Sequence, residues 1–392
     1  MAERVPAGTD GSPADDARPT VIVYTHSLLE RSMTFIRSHA EALTRYRPVY
    51  AGAHRVAGLE LPAGRSVTVN EGGLRGRLEE YLFRRFGVAG RAAMRLRRFT
   101  PTLLHAHFGT SGPSALTLAD ALGIPLVVTY HGYDATITDA EARRSWRGRE
   151  YLRGRAQVME RASIVIAVSD FIRSRLIAKG YPAHKIVTHY NGIDLAYFRR
   201  GAQSREPVVV FVGRFVEKKG CEYLIRALAQ LRSQGLPARG VLVGDGPLRS
   251  GLERLADESG AHVAFTGFLP LAEVKDWLGR ASVVAVPSVT ASNGDSEGLP
   301  TVILEAQAMG TPVIVTRHAG NVEGVAAGRT ALVVGERDVE ALADAVRFFL
   351  QDSDAVERFG AAGRVFVESR FGIAGQARGL EDLYDRARAK TS

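Results

Sequence analysis

The sequence predicts an α/β protein made of two doubly wound parallel-sheet domains, and three observations carry that reading. The chain has 392 residues, more than a single hydrophobic core ordinarily organises. Short β-branched runs recur along it, separated by longer amphipathic stretches. The runs are continuously apolar rather than alternating, as strands are when helices cover both faces of a sheet.

In the first half the runs are "TVIVYTH" from residue 20, "RPVYAGA" from 47, "RSVTVN" from 65, "TLLHAHFG" from 102, "PLVVTYHG" from 125, "SIVIAVS" from 163 and "KIVTHY" from 185. In the second half they are "PVVVFVGR" from 207, "GVLVGDG" from 240, "HVAFTG" from 262, "SVVAVPS" from 282, "PVIVTR" from 312 and "ALVVG" from 331. Between the two sets lies "NGIDLAYFRRGAQSREP", polar, Gly-containing and ending in Pro, which reads as a linker. The expected division is a disordered tail over 1–19, a first domain over 20–192 and a linker over 193–206. A second domain over 207–371 and a terminal helix over 372–392 follow.

Composition narrows the class. Hydrophobic residues make up 45% and charged residues 24%, as in a soluble globular protein. No apolar run approaches a membrane span, and the first residues lack the apolar stretch of a signal peptide. A single cysteine, Cys221, excludes an internal disulfide and a cysteine-based metal site, so the expected compartment is the cytoplasm.

The formal net charge is +9, which directs attention to anionic partners. Eight arginines fall in "LRGRLEEYLFRRFGVAGRAAMRLRRF" (74–99) and six in "ARRSWRGREYLRGR" (142–155). The interleaved Leu, Tyr, Phe and Met suggest helices with one apolar face and one arginine face. Such a face is either simply solvated or rests on anionic lipid headgroups at the inner surface of a membrane. Nucleic acid is not an expected partner, because the basic stretches carry no recognised module or stacking platform.

Ligands of doubly wound sheets bind beyond the carboxyl ends of the strands. The residues to inspect are therefore His26, His107, His131, Arg214, Asp245 and the loop from Ser288 to Glu297. Neither GxxxxGK[ST] nor GxGxxG is present. In "VGRFVEKKG", Gly213 permits a tight turn at a strand end, Arg214 follows it, and Lys219 stands at the start of the next helix. An arginine fork and an ammonium there form either a diphosphate clamp or two surface charges flanking a turn.

The stretch "SEGLPTVILEAQAMGTPVI" (296–314) adds two carboxylates around one short helix. Pro300 fits the first helical turn, and Gly310 with Pro312 ends the helix. Its start offers free N–H groups to a phosphate or sugar oxygen. Taken alone, Glu305 is a solubilising charge and Glu297 complements the helix dipole. Beside Arg214 and Lys219, the pair instead suits a ligand with a diphosphate centre and a polyol at each end, which describes a nucleoside-diphosphate sugar.

With these residues assembled, the chain resembles glycosyltransferase family 4. "EGLPTVILEA" matches that family's E-x7-E motif, Glu297 to Glu305, and "VGRFVEKKG" matches its Gly-Arg and Lys-Gly element. "YNGID" (190–194) and "LVGDGPLRSGLE" match further signatures, while "MTFIRSHAEAL", "LHAHFG" and "YHGYD" are most similar to the exopolysaccharide, colanic-acid-type branch. The resemblance implies the GT-B fold: two Rossmann-like domains facing a central cleft, with the C-terminal helix crossing back to the N-terminal domain. It implies a nucleotide-sugar site in the second half and an acceptor site in the first.

Residue by residue, the resemblance gives Glu305 the ribose hydroxyls and Glu297 the sugar ring. Arg214 and Lys219 neutralise the departing diphosphate, and Gly213, Gly298, Leu299 and Pro300 complete the donor site. His131 is placed at the active-site edge against the transferred sugar, and His107 as a cleft-lining or packing residue. Asp134 and Asp245 are read equally well as helix caps. The segment "YTHSLLERSMTFIRS" departs from many family members in having no glycine after the first strand; Ser32, Thr34 and Arg37 are the acceptor-binding candidates there.

The expected activity is retaining, metal-independent and cofactor-free hexosyl transfer from a nucleoside-diphosphate sugar, UDP favoured over GDP. The acceptor is a hydroxyl of a glycan, a lipid-linked glycan or a secondary metabolite. The alternatives are a nucleotide-sugar 2-epimerase of the same fold and a non-catalytic, basic membrane-associated scaffold.

Overall fold

The computed structural model describes residues 17–201 and 203–390, so most of the expected disordered tail over 1–19 lies outside the described residues. All thirteen apolar runs are strands. The first seven are β1 (Thr20–Leu28), β2 (Arg47–Arg55), β3 (Ser66–Asn70), β4 (Pro101–His107), β5 (Leu126–Tyr130), β6 (Ile164–Ala167) and β7 (Ile186–Thr188). They form one sheet in the order β3-β2-β1-β4-β5-β6-β7. The other six are β8 (Glu206–Val212), β9 (Arg239–Val243), β10 (His262–Gly267), β11 (Ala281–Val286), β12 (Val313–Thr316) and β13 (Ala331–Val334), in the order β10-β9-β8-β11-β12-β13. β1 pairs in parallel with β2 and β4, and β8 in parallel with β9 and β11.

Each sheet is thus doubly wound. The order reverses between β1 and β4 in one and between β8 and β11 in the other, and the loops after those strands diverge there. β11 and β12 are buried along their whole length, whereas the edge strand β10 is not, which is why the central runs read as unbroken apolar sequence.

The second sheet shows how a continuous run serves two cores. Val208, Val210, Val284, Val286, Val313 and Val315 face one side, where they pack with Val302, Ile303 and Leu304 of the Thr301–Ala308 helix. Val209, Phe211, Val283, Ala285 and Ile314 face the other, against Leu224, Ile225 and Leu228 of the Cys221–Ser233 helix. The alternation is the period of two of a strand, and each such side chain stabilises the fold by about 1.5–3 kcal/mol when fully buried.

The chain divides into two compact units. One comprises residues through Val128, Gly154–Ile164 and the chain from Ala377; the other comprises Thr129–Arg153 and Val165–Gln376. The last helix, Ile373–Ala389, accordingly belongs to the first unit from Ala377 onward. There Glu381, fully buried, accepts from the backbone N–H groups of Thr44 at 2.6 Å and Arg45 at 2.5 Å and pairs with the Arg45 guanidinium. Tyr384 Oη lies 2.7 Å from His105 Nδ1. Within the second unit, Ile193 of the "YNGID" segment donates to Phe371 O at 2.7 Å and accepts from Ile373 N at 2.9 Å.

Candidate active site

The loops after β8 and β11 leave the second sheet side by side. They are joined at Gly220, where φ is +62° and a Cβ would stand 1.9 Å from the Pro287 carbonyl oxygen. Only glycine fits both the left-handed backbone and that approach. The Glu217–Lys219 turn is thereby pressed against the loop that begins at Pro287, which carries Asp295 and Glu297.

Lys219 Nζ meets Glu297 Oε1 at 2.9 Å, and Lys218 Nζ meets Asp295 Oδ1 at 3.0 Å. Burial alone would raise the Glu297 carboxyl, which is only 7% exposed. Lys219, then Lys218 and His318, outweigh that and hold it below the usual carboxylate range. Asp295 behaves oppositely: burial and the neighbouring Glu297 charge raise it despite Lys218. Burial would lower Lys218, but Glu297 and Asp295 together raise it. Two carboxylates and two ammonium groups therefore share one half-enclosed spot with no net charge.

Glu305 lies one turn into the Thr301–Ala308 helix and is half-buried. Desolvation pushes its carboxyl up to about 7, against the opposing effects of a Thr301 hydrogen bond and the Lys219 charge. Lys219 thus acts electrostatically on both motif carboxylates, the loop one by contact and the helical one through space. The helix between them starts without a side-chain cap. By contrast, the Asp170–Ala178 helix is capped by Ser169 Oγ and by Glu323, which accepts from Asp170 N at 2.7 Å and Phe171 N at 2.8 Å. Pro300 departs from expectation: it occupies the cap position with extended ψ of 122°, and the first helical residue is Thr301. A pyrrolidine ring suits either place, since neither needs its N–H.

The other expected residues are placed as follows. Gly213 touches the Lys219 stem, where a Cβ would lie 3.5 Å from Cδ and Cε. Arg214 is exposed and makes no ion pair among the described residues, so it shares the loop with Lys219 but not its contacts. Leu299 sends its side chain into the core, leaving only its backbone for a ligand. Gly298 packs on the His131 carbonyl oxygen, 2.0 Å from where its Cβ would be, so the backbone of the half-buried His131 lies against the Glu297 loop. Asp134 is not the cap of its helix, a position held by Gly132; from the Tyr133–Thr136 turn its carboxylate reaches back to accept from the N–H groups of His131 at 3.0 Å and Gly132 at 2.9 Å. Asp245 accepts from Gly246 N at 2.7 Å and pairs with Arg249.

Ser32, Thr34, Arg37 and His107 fall in the first compact unit. Ser32 is exposed in a turn, and Thr34 opens the Thr34–Glu41 helix that carries the half-buried Arg37. His107 is buried with its ring centroid 4.2 Å from that of His105. In the same unit His26, His54 and Glu80 bring potential metal-ligand atoms within 4.8 Å of one another. Both His54 nitrogens are already engaged, by Glu80 at 2.9 Å and Ser27 Oγ at 3.3 Å, and Glu80 also accepts from Asn70. His54 and Glu80 thus belong to a hydrogen-bond network with Ser27 and Asn70, and His26 meets the His54 ring edge-on, centroids 5.3 Å apart.

Sequence reasoning missed His318. Its Nε2 accepts from the Glu297 N–H at 3.3 Å, which leaves Nδ1 to donate to Glu336 Oε1 at 2.7 Å. The same strand-end rule that selected His131 would have found it, two residues after β12. Lys218 and Asp295 were overlooked because a paired charge and a loop acid carry no spacing signal of their own.

Comparison with known proteins gives two family models covering most of the chain: "Glycosyltransferase Family 4" over residues 34–197 and "Glycosyl transferases group 1" over 194–366. An Escherichia coli protein named as a putative colanic acid biosynthesis glycosyltransferase, WcaL, is 34% identical over 282 residues, covering 70% of this chain and 68% of that protein. A Mycobacterium tuberculosis GDP-mannose-dependent α-(1-6)-phosphatidylinositol monomannoside mannosyltransferase is 36% identical over 53% of this chain and 58% of its own length. The matched stretch therefore spans about two thirds of the first relative and under three fifths of the second. The crystal structure of Anabaena HepE in complex with UDP and glucose superposes with a TM-score of 0.73 at 18% identity, over 94% of this chain and 100% of that one.

Proposed function

Since the chain belongs to glycosyltransferase family 4 and has the GT-B fold, we propose that this glycosyltransferase is retaining and works without a metal. It would move a hexosyl group from a nucleoside-diphosphate sugar to a hydroxyl of a glycan, a lipid-linked glycan or a secondary metabolite. The observation that carries the reading is Lys219, held against Glu297 while its charge also reaches Glu305, beside an uncapped helix start.

In this reading Glu305 accepts from the ribose hydroxyls and Glu297 from the sugar hydroxyls. Arg214, Lys219 and the N–H groups at the Thr301–Ala308 helix start take up the charge that develops on the diphosphate. The acceptor oxygen bonds to the anomeric carbon on the face from which the phosphate leaves. The acceptor proton passes to a leaving phosphate oxygen, so no protein carboxylate has to act as nucleophile. His131, tied to the Glu297 loop, is assigned a hydrogen bond to the transferred sugar. UDP is the expected donor base, and the GDP-mannose-dependent relative makes GDP its direct competitor.

The test incubates the protein with UDP-hexoses and GDP-hexoses, follows nucleotide release, and reads the anomeric configuration of any product by NMR. Release from one donor class, lost with Glu297→Ala and reduced about 100-fold or more with Arg214→Ala, is expected. It should persist in EDTA. Release indifferent to both substitutions, an inverted product or abolition by EDTA would each overturn the corresponding part.

A further inference from the structure

His26 is one of the strand-end residues at which a ligand is expected, and the donor site makes no use of it. It lies near the carboxyl end of β1, and the register of β1 on β2 sets its neighbour Ser27 beside His54. Glu80 comes from the Gly73–Phe86 helix that follows β3. One nitrogen of each imidazole and one oxygen of the carboxylate fall within 4.8 Å of one another, and all three residues are half-buried. Three atoms bound to one tetrahedral ion at about 2.0–2.2 Å stand roughly 3.4 Å apart, so small side-chain rotations close the set.

The surroundings orient these groups as metal ligands are oriented. His54 Nδ1 faces Glu80 Oε1 at 2.9 Å, and its Nε2 faces Ser27 Oγ at 3.3 Å. With Nδ1 turned to an ion, Nε2–H donates to Ser27 Oγ, which fixes both the ring and its tautomer. Asn70 Nδ2 donates to the other carboxylate oxygen, Glu80 Oε2, at 2.8 Å, while Asn70 Oδ1 accepts from Gly72 N at 2.9 Å. Gly76 seats the helix on that amide, since a Cβ there would stand 2.4 Å from Asn70 Oδ1. Arg84 reaches Glu80 Oε1 only at 3.5 Å. A groove of about 550 Å³, lined by His54, Arg55, Asn70, Glu71 and Arg77 among others, gives a hydrated ion a way in to His54.

We propose that His26, His54 and Glu80 bind one divalent transition ion of the Zn²⁺ class, with water as the fourth ligand. The donor set selects it: two imidazoles and one carboxylate suit Zn²⁺, whereas Mg²⁺ and Ca²⁺ take oxygen ligands. The ion takes the place of the proton between His54 Nδ1 and Glu80 and fastens the Gly73–Phe86 helix to the ends of β1 and β2. A histidine–glutamate hydrogen bond would by itself account for His54 and Glu80, but it does not call for a second imidazole nitrogen at the same point. The ion is structural and takes no part in sugar transfer, so the inference stands independently of the donor chemistry.

The experiment is calorimetric titration of tag-free, full-length protein, treated with EDTA and dialysed, with ZnCl₂ and separately with MgCl₂. One tight Zn²⁺ per chain is expected, and no comparable binding of Mg²⁺. Ser27→Ala, which removes only the acceptor of the His54 N–H, should weaken Zn²⁺ binding about tenfold, and His26→Ala and His54→Ala about 100-fold or more. Glu80→Gln, which keeps the shape of the side chain and an oxygen for Asn70, should weaken it at least about tenfold and decides the matter if a histidine variant fails to fold. His184→Ala, at an exposed histidine outside the trio, should change nothing. Zn²⁺ should also raise the melting temperature of the wild type by a few degrees and leave that of Glu80→Gln nearly unmoved. Melts of the metal-free variants serve as the folding control. Absence of saturable Zn²⁺ binding, equal binding of Mg²⁺, or Zn²⁺ binding that survives both His54→Ala and Glu80→Gln overturns the proposal. So does loss of binding in His184→Ala, which would put the ion elsewhere.

Discussion

The backbone oxygen of His131 occupies the space that a side chain on Gly298 would need: a Cβ there would stand 2.0 Å from that oxygen and 2.8 Å from Val168 Cγ2. The loop that carries Glu297 is therefore located by the absence of an atom. A histidine after β5 and a glutamate after β11, far apart in sequence, are held in one arrangement by that contact.

Gly298→Ala should displace this loop. The forced shift costs about 1–3 kcal/mol, read as a lowered melting temperature, and moves Glu297 away from Lys219. Nucleotide release should fall at least about tenfold, because misplacement near an ångström is expensive in catalysis. Gly251→Ala is the control: nothing lies within 4 Å of its Cβ, and on an exposed helix it should be neutral or stabilising by up to about 1 kcal/mol. Equal effects of the two would refute the packing argument.

Removing the cation should separate stability from function. Lys219→Met leaves the Glu297 carboxylate buried without its 2.9 Å partner and should cost about 3–5 kcal/mol. Adding Glu297→Gln removes the stranded charge and should restore most of the melting temperature. Donor turnover should stay down by about 100-fold or more in both variants. A double variant that recovers activity with stability would show that Lys219 serves only to neutralise Glu297.

Glu305 gives stability a pH dependence of definite sign. Its folded pKa of about 7 lies above the ordinary carboxylate value. Below the unfolded pKa both states hold the proton and the group contributes nothing. Between the two pKa values only the folded state keeps it, so stability declines as pH rises toward 7 and is flat above. Glu305→Gln should therefore raise the melting temperature at pH 8, by on the order of 1–3 kcal/mol of stability, and leave it nearly unchanged at pH 4. The same variant should bind donor more weakly at pH 8, measured by calorimetry, if the carboxylate holds the ribose.

His318 should prove a positioning residue. His318→Phe removes the acceptor of the Glu297 N–H and the donor to Glu336, while keeping most of the volume. Turnover is expected to fall about tenfold with a rise in donor KM, whereas His318→Asn should recover part of the loss through an amide at a similar place. An unchanged KM and kcat in His318→Phe would remove the residue from the site.

Much of this molecule is written locally. Parallel strands covered on both faces must be apolar along their length, so the central strands stood out as unbroken runs, and the order of chemistry-bearing loops followed from where those runs ended. The Glu297–Glu305 spacing and the glycines of "VGRFVEKKG" are local too, since they reflect how one loop enters one helix. Tertiary structure decided the rest. Which lysine faces Glu297, that His318 receives its N–H, and that desolvation brings Glu305 near neutrality all depend on loops from separate strands meeting. The Gly73–Phe86 helix makes the same point: periodicity shows that a helix has apolar stripes, but only packing shows which one the core covers and which stays exposed.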